Sequence, residues 1–280
     1  MEGDYETHGM PLPYKEIDAT KEKFGLPQET FYLPNEVCSH FHRRFPKLAE
    51  MRTVWDKSLN SAMKKSAFNQ FWNMTVRNKF PKLLYPEFES DSHIATRKAF
   101  GLTLDIFATQ LPHLIGGSAD LEPSNYTSNF AATYGDFSKS NPSGRNLAFG
   151  VREFSMGTIC NGLSLHKGLI PFGGTFLVFS DYSRPAIRLS AIQDLQVIYE
   201  FTHDSFYLGE DGPTHQPVEH IMSLRTIPNL NVYRPADAKE TAVSLECILQ
   251  DTSKPSAILL SRQGLPQLDC EIDAIKDGVR

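Results

Sequence analysis

From about residue 92 the chain alternates short apolar runs with stretches of helical periodicity. The first helix is predicted over SHIATRKAFGLTLDIFATQ, where Ala95, Ala99, Leu102 and Ile106 recur at helical spacing. A strand HLIGGSA follows. After a polar loop come NLAFG, read as a strand, and the helix EFSMGTICNGLSLHKG. The strand FGGTFLVF, the helix SRPAIRLSAIQ, the strand QVIYEFT and a helix around PVEHIMSLRTI continue the pattern. The strand NVYR, the helix DAKETAVSLECILQ and the strand SAILLS close it, with Asp237 and Glu240 forming a capping-box start to that last helix. Strands separated by helices require crossover connections, which predicts an α/β fold: a doubly wound, mostly parallel sheet with helices on both faces.

The first 90 residues have a different texture. They are polar and broken by prolines. A helix is predicted in PLPYKEIDATKEKFG, where Pro13 suits a first turn and Gly25 a position just past the end. A second helical stretch, about 35–79, carries Phe41, Phe45, Trp55, Phe68, Phe71 and Trp72 among many charges. The expected organisation is a linker arm over 1–90, one α/β domain over 91–270, and the start of a further linker over 271–280.

A length of 280 residues suits one large domain or two modest ones, and 40% hydrophobic with 22% charged residues is ordinary for a globular chain. A net charge of −5 argues against a nucleic-acid binder, which needs a basic face. Cys38, Cys160, Cys247 and Cys270 are widely spaced, so neither a zinc site nor a disulfide framework is indicated and a reducing cytoplasm fits. The acidic N-terminus lacks the features of a signal peptide, and no apolar run is long enough for a membrane helix.

In a parallel sheet, ligands sit outside the carboxyl ends of the strands. Ionisable residues gather there: Asp120 after LIGGSA, Arg152 and Glu153 after NLAFG, and Asp181 and Tyr182 after FLVF. His203 and Asp204 follow YEFT, Arg234 and Asp237 follow NVY, and Arg262 follows ILLS. The loop HDSFYLGEDGPTHQP is the densest member of this set. H-E-x-x-H, G-x-S-x-G, G-x-G-x-x-G and the P-loop pattern are all missing, which leaves metal, serine-nucleophile and nucleotide chemistry unsupported. What remains is a crevice of His and Arg with an acid at a helix start and three aromatics, Phe176, Phe179 and Tyr182. Glu153 there could exchange a proton with a heteroaromatic nitrogen, and the rings could stack on it. Taken singly, an acid such as Glu153 at a helix start is usually a dipole-favoured surface acid, and aromatics at the spacing of Phe176, Phe179 and Tyr182 are more often core than cofactor pocket.

LIGGSADLEPSNYT, FGVREFSMG, GGTFLVFSDY, FTHDSFYLGEDGPTHQP, VYRPAD and LSRQGLP together resemble the pyrimidine-binding domain of transketolases, thiamine-diphosphate enzymes of the pentose phosphate pathway. The N-terminal HGMPL resembles the last active-site segment of the preceding diphosphate-binding domain, and residues 10–90 the linker between the two. The resemblance implies that Glu153 protonates the cofactor's pyrimidine ring, that Phe176, Phe179 and Tyr182 form its pocket, and that Asp120 lies on the cofactor or partner side. It further implies that Arg97, Ser124, His203 and Arg262 hold the sugar phosphate and that Asp211 reads a substrate hydroxyl. His215 would sit between cofactor and reacting carbons, and His8 would help move a proton of the acceptor.

One departure is Phe154, where the family commonly has His. Another is that nothing matches the diphosphate-binding segment or the family's C-terminal domain. The expectation is a two-carbon ketol transferase acting on sugar phosphates, completed by a diphosphate-binding domain or subunit as a homodimer or heterotetramer. That portion would carry the divalent cation, Mg or Ca, and the chain by itself would be inactive. A dihydroxyacetone synthase-like enzyme and a noncatalytic assembly subunit are the alternatives.

Overall fold

The computed structural model describes residues 2–268 and 270–278. Two compact units divide the chain, Met1–Asn69 and Gln70–Arg280.

The first unit holds a 3-10 turn at Tyr5–His8 and helices α1 (Tyr14–Lys23), α2 (Asn35–His42) and α3 (Phe45–Ala62); α4 (Ser66–Thr75) follows. Pro13 is the residue before α1 and not part of its first turn. Gly25, at φ 64°, ends the helix as its position predicts. Its N–H donates to the Glu22 carbonyl at 3.0 Å and that of Leu26 to Lys21 at 2.8 Å, the paired bonds of a left-handed helix stop. The stretch 35–79 is three helices, and the first break has a cause in Pro46. Its ring, in the first turn of α3, would clash with the carbonyl four residues back in a continuous helix. Helices α1 to α3 bury no residue.

The second unit begins with β1 (His93–Ala95), α5 (Thr96–Gln110), β2 (Leu114–Ser118), α6 (Glu122–Asn125), α7 (Ser128–Tyr134) and α8 (Glu153–His166). It continues with β3 (Ile170–Phe176), α9 (Ser180–Ile192), β4 (Ile198–Thr202), α10 (His220–Arg225) and β5 (Asn231–Tyr233). The last elements are α11 (Ala238–Gln250), β6 (Ser256–Leu259), β7 (Gly264–Pro266) and α12 (Ile272–Gly278). Five strands form a parallel sheet in the order β2-β3-β4-β6-β5. Neighbouring residues of one strand enter opposite cores. Ile198 and Ile258 join Phe100, Leu104 and Phe107 of α5 and Leu245, Ile248 and Leu249 of α11. Tyr199, Phe201, Ala257 and Leu259 join Met156 and Cys160 of α8 and Ile187 and Ala191 of α9. The sheet is therefore covered on both faces, as the fold class requires.

Several predicted boundaries shift. NLAFG is not a strand: Asn146 makes single bridges to Gly116 and Asp136, and Gly150 at φ 64° turns the chain away toward α8. Residues 93–95 leave the predicted helix because they pair antiparallel with Gly264–Pro266. FGGTFLVF ends as a strand at Phe176, Leu177–Phe179 forms a 3-10 turn, and α9 begins at Ser180. The Asp237 cap holds: Asp237 Oδ1 accepts from the Glu240 N–H at 2.7 Å, while Glu240 Oε2 accepts from the Ala236 N–H at 2.6 Å.

Glu200, in the middle of β4, is fully buried, and neither carboxylate oxygen has a hydrogen-bond partner among the described residues. Burial pushes its carboxyl well above the usual range, so the folded chain keeps the proton that the unfolded chain releases. Stability conferred by that neutral carboxyl is complete below the unfolded carboxyl's pKa of 4.5 and drains away as pH rises above it, by at most about 1.4 kcal/mol per pH unit. Glu200→Gln removes the titration. In thermal unfolding, the melting temperature of the variant relative to the wild type is expected to climb as pH rises above 5; a flat difference would refute a raised Glu200 pKa.

Candidate active site

The end of β3 sets the geometry of the site. The single 3-10 turn after Phe176 brings the ring of Phe179, three residues on, parallel to that of Phe176, with centroids 5.8 Å apart and planes 7° from parallel. Tyr182, in the first turn of α9, continues the stack 6.0 Å beyond Phe179. At the neighbouring strand end, His203 adopts a left-handed φ of 58°, and its ring lies 3.7 Å from that of Phe176. His215 meets Phe179 edge-on at 5.3 Å.

Glu153 is the first residue of α8 and is 7% exposed. It shares an open cleft of about 520 Å³ with Ala119, Asp120, Leu121, Val151, Phe179 and Tyr182. Phe179 thus belongs both to the cleft of Glu153 and to the ring cluster of His203 and His215, so the acid and the two histidines stand at the same edge of the sheet. Asp120, at φ 63°, is exposed on the cleft wall. Phe154, beside the acid, is 49% exposed on α8.

A cationic group adjoins the histidines. The Arg97 Nη1 donates to the Ser124 main-chain carbonyl at 2.8 Å, and the guanidinium lies 5.2 Å over Tyr126. Its buried Nε has no partner among the described residues. Burial lowers the Arg97 pKa and Arg262 lowers it further, while Tyr126 and Asp211 oppose the shift. Arg262 Nη2 lies 3.5 Å from Glu210, which is itself exposed. His203 is pushed down to about 3 by burial first, then by Arg97, Arg262 and His215, and is neutral near pH 7.

Of the residues named from the sequence, Glu153, Phe176, Phe179, Tyr182, Asp120, His203, His215, Arg97, Ser124, Arg262 and Asp211 all lie at this edge. Ser124 contributes its carbonyl to Arg97. His8 is exposed at the end of the 3-10 turn of the first unit. Sequence reasoning placed Asp204 and Arg234 at the edge without a role; they form an ion pair at 2.8 Å that ties the loops after β4 and β5. It missed Asn125, Thr202 and Tyr126, although Asn125 and Tyr126 stand in the same SNYT run as Ser124. Asp181, Glu219 and His220 also converge, with ligand-type atoms within 4.8 Å of one another. Both His220 nitrogens are engaged there, Nδ1 by the Val218 N–H at 3.3 Å and Nε2 by Asp181 at 3.1 Å.

The architecture is that of a doubly wound parallel α/β domain, with the ring cluster, the buried acid and the two histidines gathered at the carboxyl edge of its sheet. Comparisons with known proteins narrow that class. A family model described as the transketolase pyrimidine binding domain matches residues 92–267, and one described as the transketolase thiamine diphosphate binding domain matches residues 1–81. The chain belongs to the transketolase family. It is 44% identical to the transketolase of Aquifex aeolicus over 284 residues, which covers 98% of this chain and 40% of that relative. Against the structure of transketolase from Leishmania mexicana the TM-score is 0.85 at 40% identity, with 95% of this chain and 40% of that one covered. A structure titled as a split gene transketolase, inactive beta4 tetramer, aligns with a TM-score of 0.53 at 31% identity over 64% of this chain and 55% of that one. No helix among the described residues is long and apolar enough to cross a membrane.

Proposed function

We propose that the domain is the pyrimidine-binding part of an enzyme that transfers a two-carbon ketol unit from a ketose phosphate to an aldose phosphate. Residues 1–90, matched over 1–81 by the thiamine diphosphate binding domain model, serve as the arm that leads from that domain into this one. One observation carries the reading: a buried acid at a helix start, Glu153, shares a cleft with the stacked rings of Phe179 and Tyr182, and the same ring cluster reaches His215 and His203, the latter faced by Arg97 and Arg262.

The cleft suits the aminopyrimidine of thiamine diphosphate. A planar ring can slide against Phe179 and Tyr182, and a carboxyl group in the wall can share a proton with a ring nitrogen. When bound, the cofactor supplies the nucleophilic carbon that carries the two-carbon fragment. The chain's own residues do the rest. Glu153 holds and returns the proton at the ring nitrogen. Phe176, Phe179 and Tyr182 orient the ring and exclude water. Arg97 and Arg262 neutralise a phosphate. Asp211, His203 and His215 orient the sugar hydroxyls and reacting carbons.

The diphosphate and a divalent cation are held by a diphosphate-binding portion outside this domain, on another chain or elsewhere in the same polypeptide. The greater length of the relatives and the likeness to a split-gene transketolase support that arrangement. The purified chain is expected to show no ketol transfer alone. It should gain transfer when mixed with a separately produced transketolase diphosphate-binding domain, thiamine diphosphate and magnesium. Ketol transfer by the chain alone would overturn the dependence on that portion; a folded mixture with no transfer would favour an assembly role.

A further inference from the structure

Beneath His203 runs a chain of hydrogen bonds between residues that are all buried: Ser118, Asn125, Thr202 and His203 are 0–3% exposed. The Asn125 Nδ2 donates to Ser118 Oγ at 3.2 Å, and the Leu121 N–H donates to the same oxygen at 3.1 Å. The Thr202 hydroxyl donates to Asn125 Oδ1 at 3.0 Å. Thr202 Oγ1 also lies 3.0 Å from His203 Nδ1. A hydroxyl has one proton, and here Asn125 takes it. The second contact is therefore a hydrogen bond only if Nδ1–H of His203 donates to the threonine oxygen.

We propose that Asn125 is a positioning residue that holds His203 as its Nδ1–H tautomer, so that Nε2 meets the substrate as a hydrogen-bond acceptor. His203 then reads an O–H donor, a sugar hydroxyl or a protonated phosphate oxygen, and the phosphate charge falls to Arg97 and Arg262. This last step rests on the sugar-phosphate reading of the cleft; the tautomer itself does not.

Three features support the assignment. Nε2 has no hydrogen-bond partner among the described residues, which leaves it available to a ligand. The imidazolium, which would also carry a proton on Nδ1, is disfavoured at neutral pH by burial and by the guanidinium charges facing the ring, Arg97 from α5 and Arg262 from its loop. Asn125 is also held in place by Gly174: a Cβ there would lie 2.7 Å from Asn125 Nδ2 and 2.6 Å from Glu200 Oε2, so only glycine leaves room for the amide at the centre of the sheet.

The test is a long-range ¹H–¹⁵N spectrum of the full chain labelled at histidine, with His203 assigned by the signal lost in His203→Gln. At pH 7 the expected pattern is a proton-bearing Nδ1 and a lone-pair Nε2. Asn125→Leu frees the Thr202 proton to donate to Nδ1 and is expected to switch the ring to Nε2–H. Asn125→Asp keeps the acceptor and should keep the original tautomer. Thr202→Val, nearly isosteric, is the second variant should Asn125→Leu fail to fold, and it should likewise release the Nδ1–H preference.

An Nε2–H or imidazolium signal in the wild type, or an unchanged tautomer in folded Asn125→Leu or Thr202→Val, overturns the proposal. Titration with inorganic phosphate separates the two layers. Variants switched to Nε2–H should bind phosphate more tightly than the wild type by on the order of fivefold, the worth of one added hydrogen bond. A switched variant with no such gain overturns the division of labour between His203 and the arginines. Absence of phosphate binding by every form, with the tautomers as expected, would count against the sugar-phosphate reading and not against the role of Asn125.

Discussion

Under the proposed function, replacing Glu153 by Gln in the chain mixed with a transketolase diphosphate-binding domain is expected to cut ketol transfer by about 10²–10⁴-fold, the usual worth of a positioned acid–base group. The carboxyl is buried at the start of α8, in the cleft that Phe179 and Tyr182 line. Glutamine has nearly the same shape and can still hydrogen-bond there, but it cannot hold and release a proton. The loss should fall mainly on kcat, and the melting temperature of the chain should stay within a few degrees of the wild type, so that failure to fold is separable from failure to react. Full activity in a folded Glu153→Gln enzyme would remove this residue, and with it the cofactor reading of the cleft.

Phe172→Ala is expected to give the largest loss of stability, about 3–5 kcal/mol, the range for deleting a buried aromatic ring. The ring is completely buried in β3 and meets Phe130 of α7 edge to face, with centroids 5.1 Å apart. On the adjacent strand it packs over Gly116, where a Cβ would lie 2.5 Å from Phe172 Cδ1 and 2.1 Å from the Phe172 carbonyl oxygen. Gly116 and Phe172 are register partners in the parallel ladder, so the ring occupies the space the glycine leaves open. Removing it leaves a void in a sheet that cannot close around it without breaking that register. For a folding unit of this size the melting temperature should drop by roughly 6–20 °C. A shift of a degree or two would mean that α7 moves in to fill the gap.

These two sites show how differently fold and chemistry were written in the sequence. The alternation of apolar runs with helical periodicity was enough to predict the parallel α/β sheet, because buried strands and amphipathic helices each bury their own repeat. The Asp237 cap and the Gly25 stop were legible for the same local reason: both are satisfied within one turn. Boundaries failed where partners were distant. Residues 93–95 became a strand because Gly264–Pro266 lies alongside, and NLAFG stopped short of one because only Asn146 pairs with the sheet.

By itself the amino-acid sequence determined the alternation of the sheet's strands β2 to β6 with their larger helices, the edge at which the ionisable loops emerge, and motifs that resemble those of transketolases. Which of those groups work together was decided by the tertiary structure. The 3-10 turn after Phe176 made three aromatics into one stack, and the packing of α6 on the sheet set Asn125 beneath Thr202 and His203. Burial then made His203 neutral and kept Glu200 protonated. Protonation and hydrogen-bond direction depend on distances and solvent exclusion between residues far apart in the chain, and a linear pattern carries no measure of either.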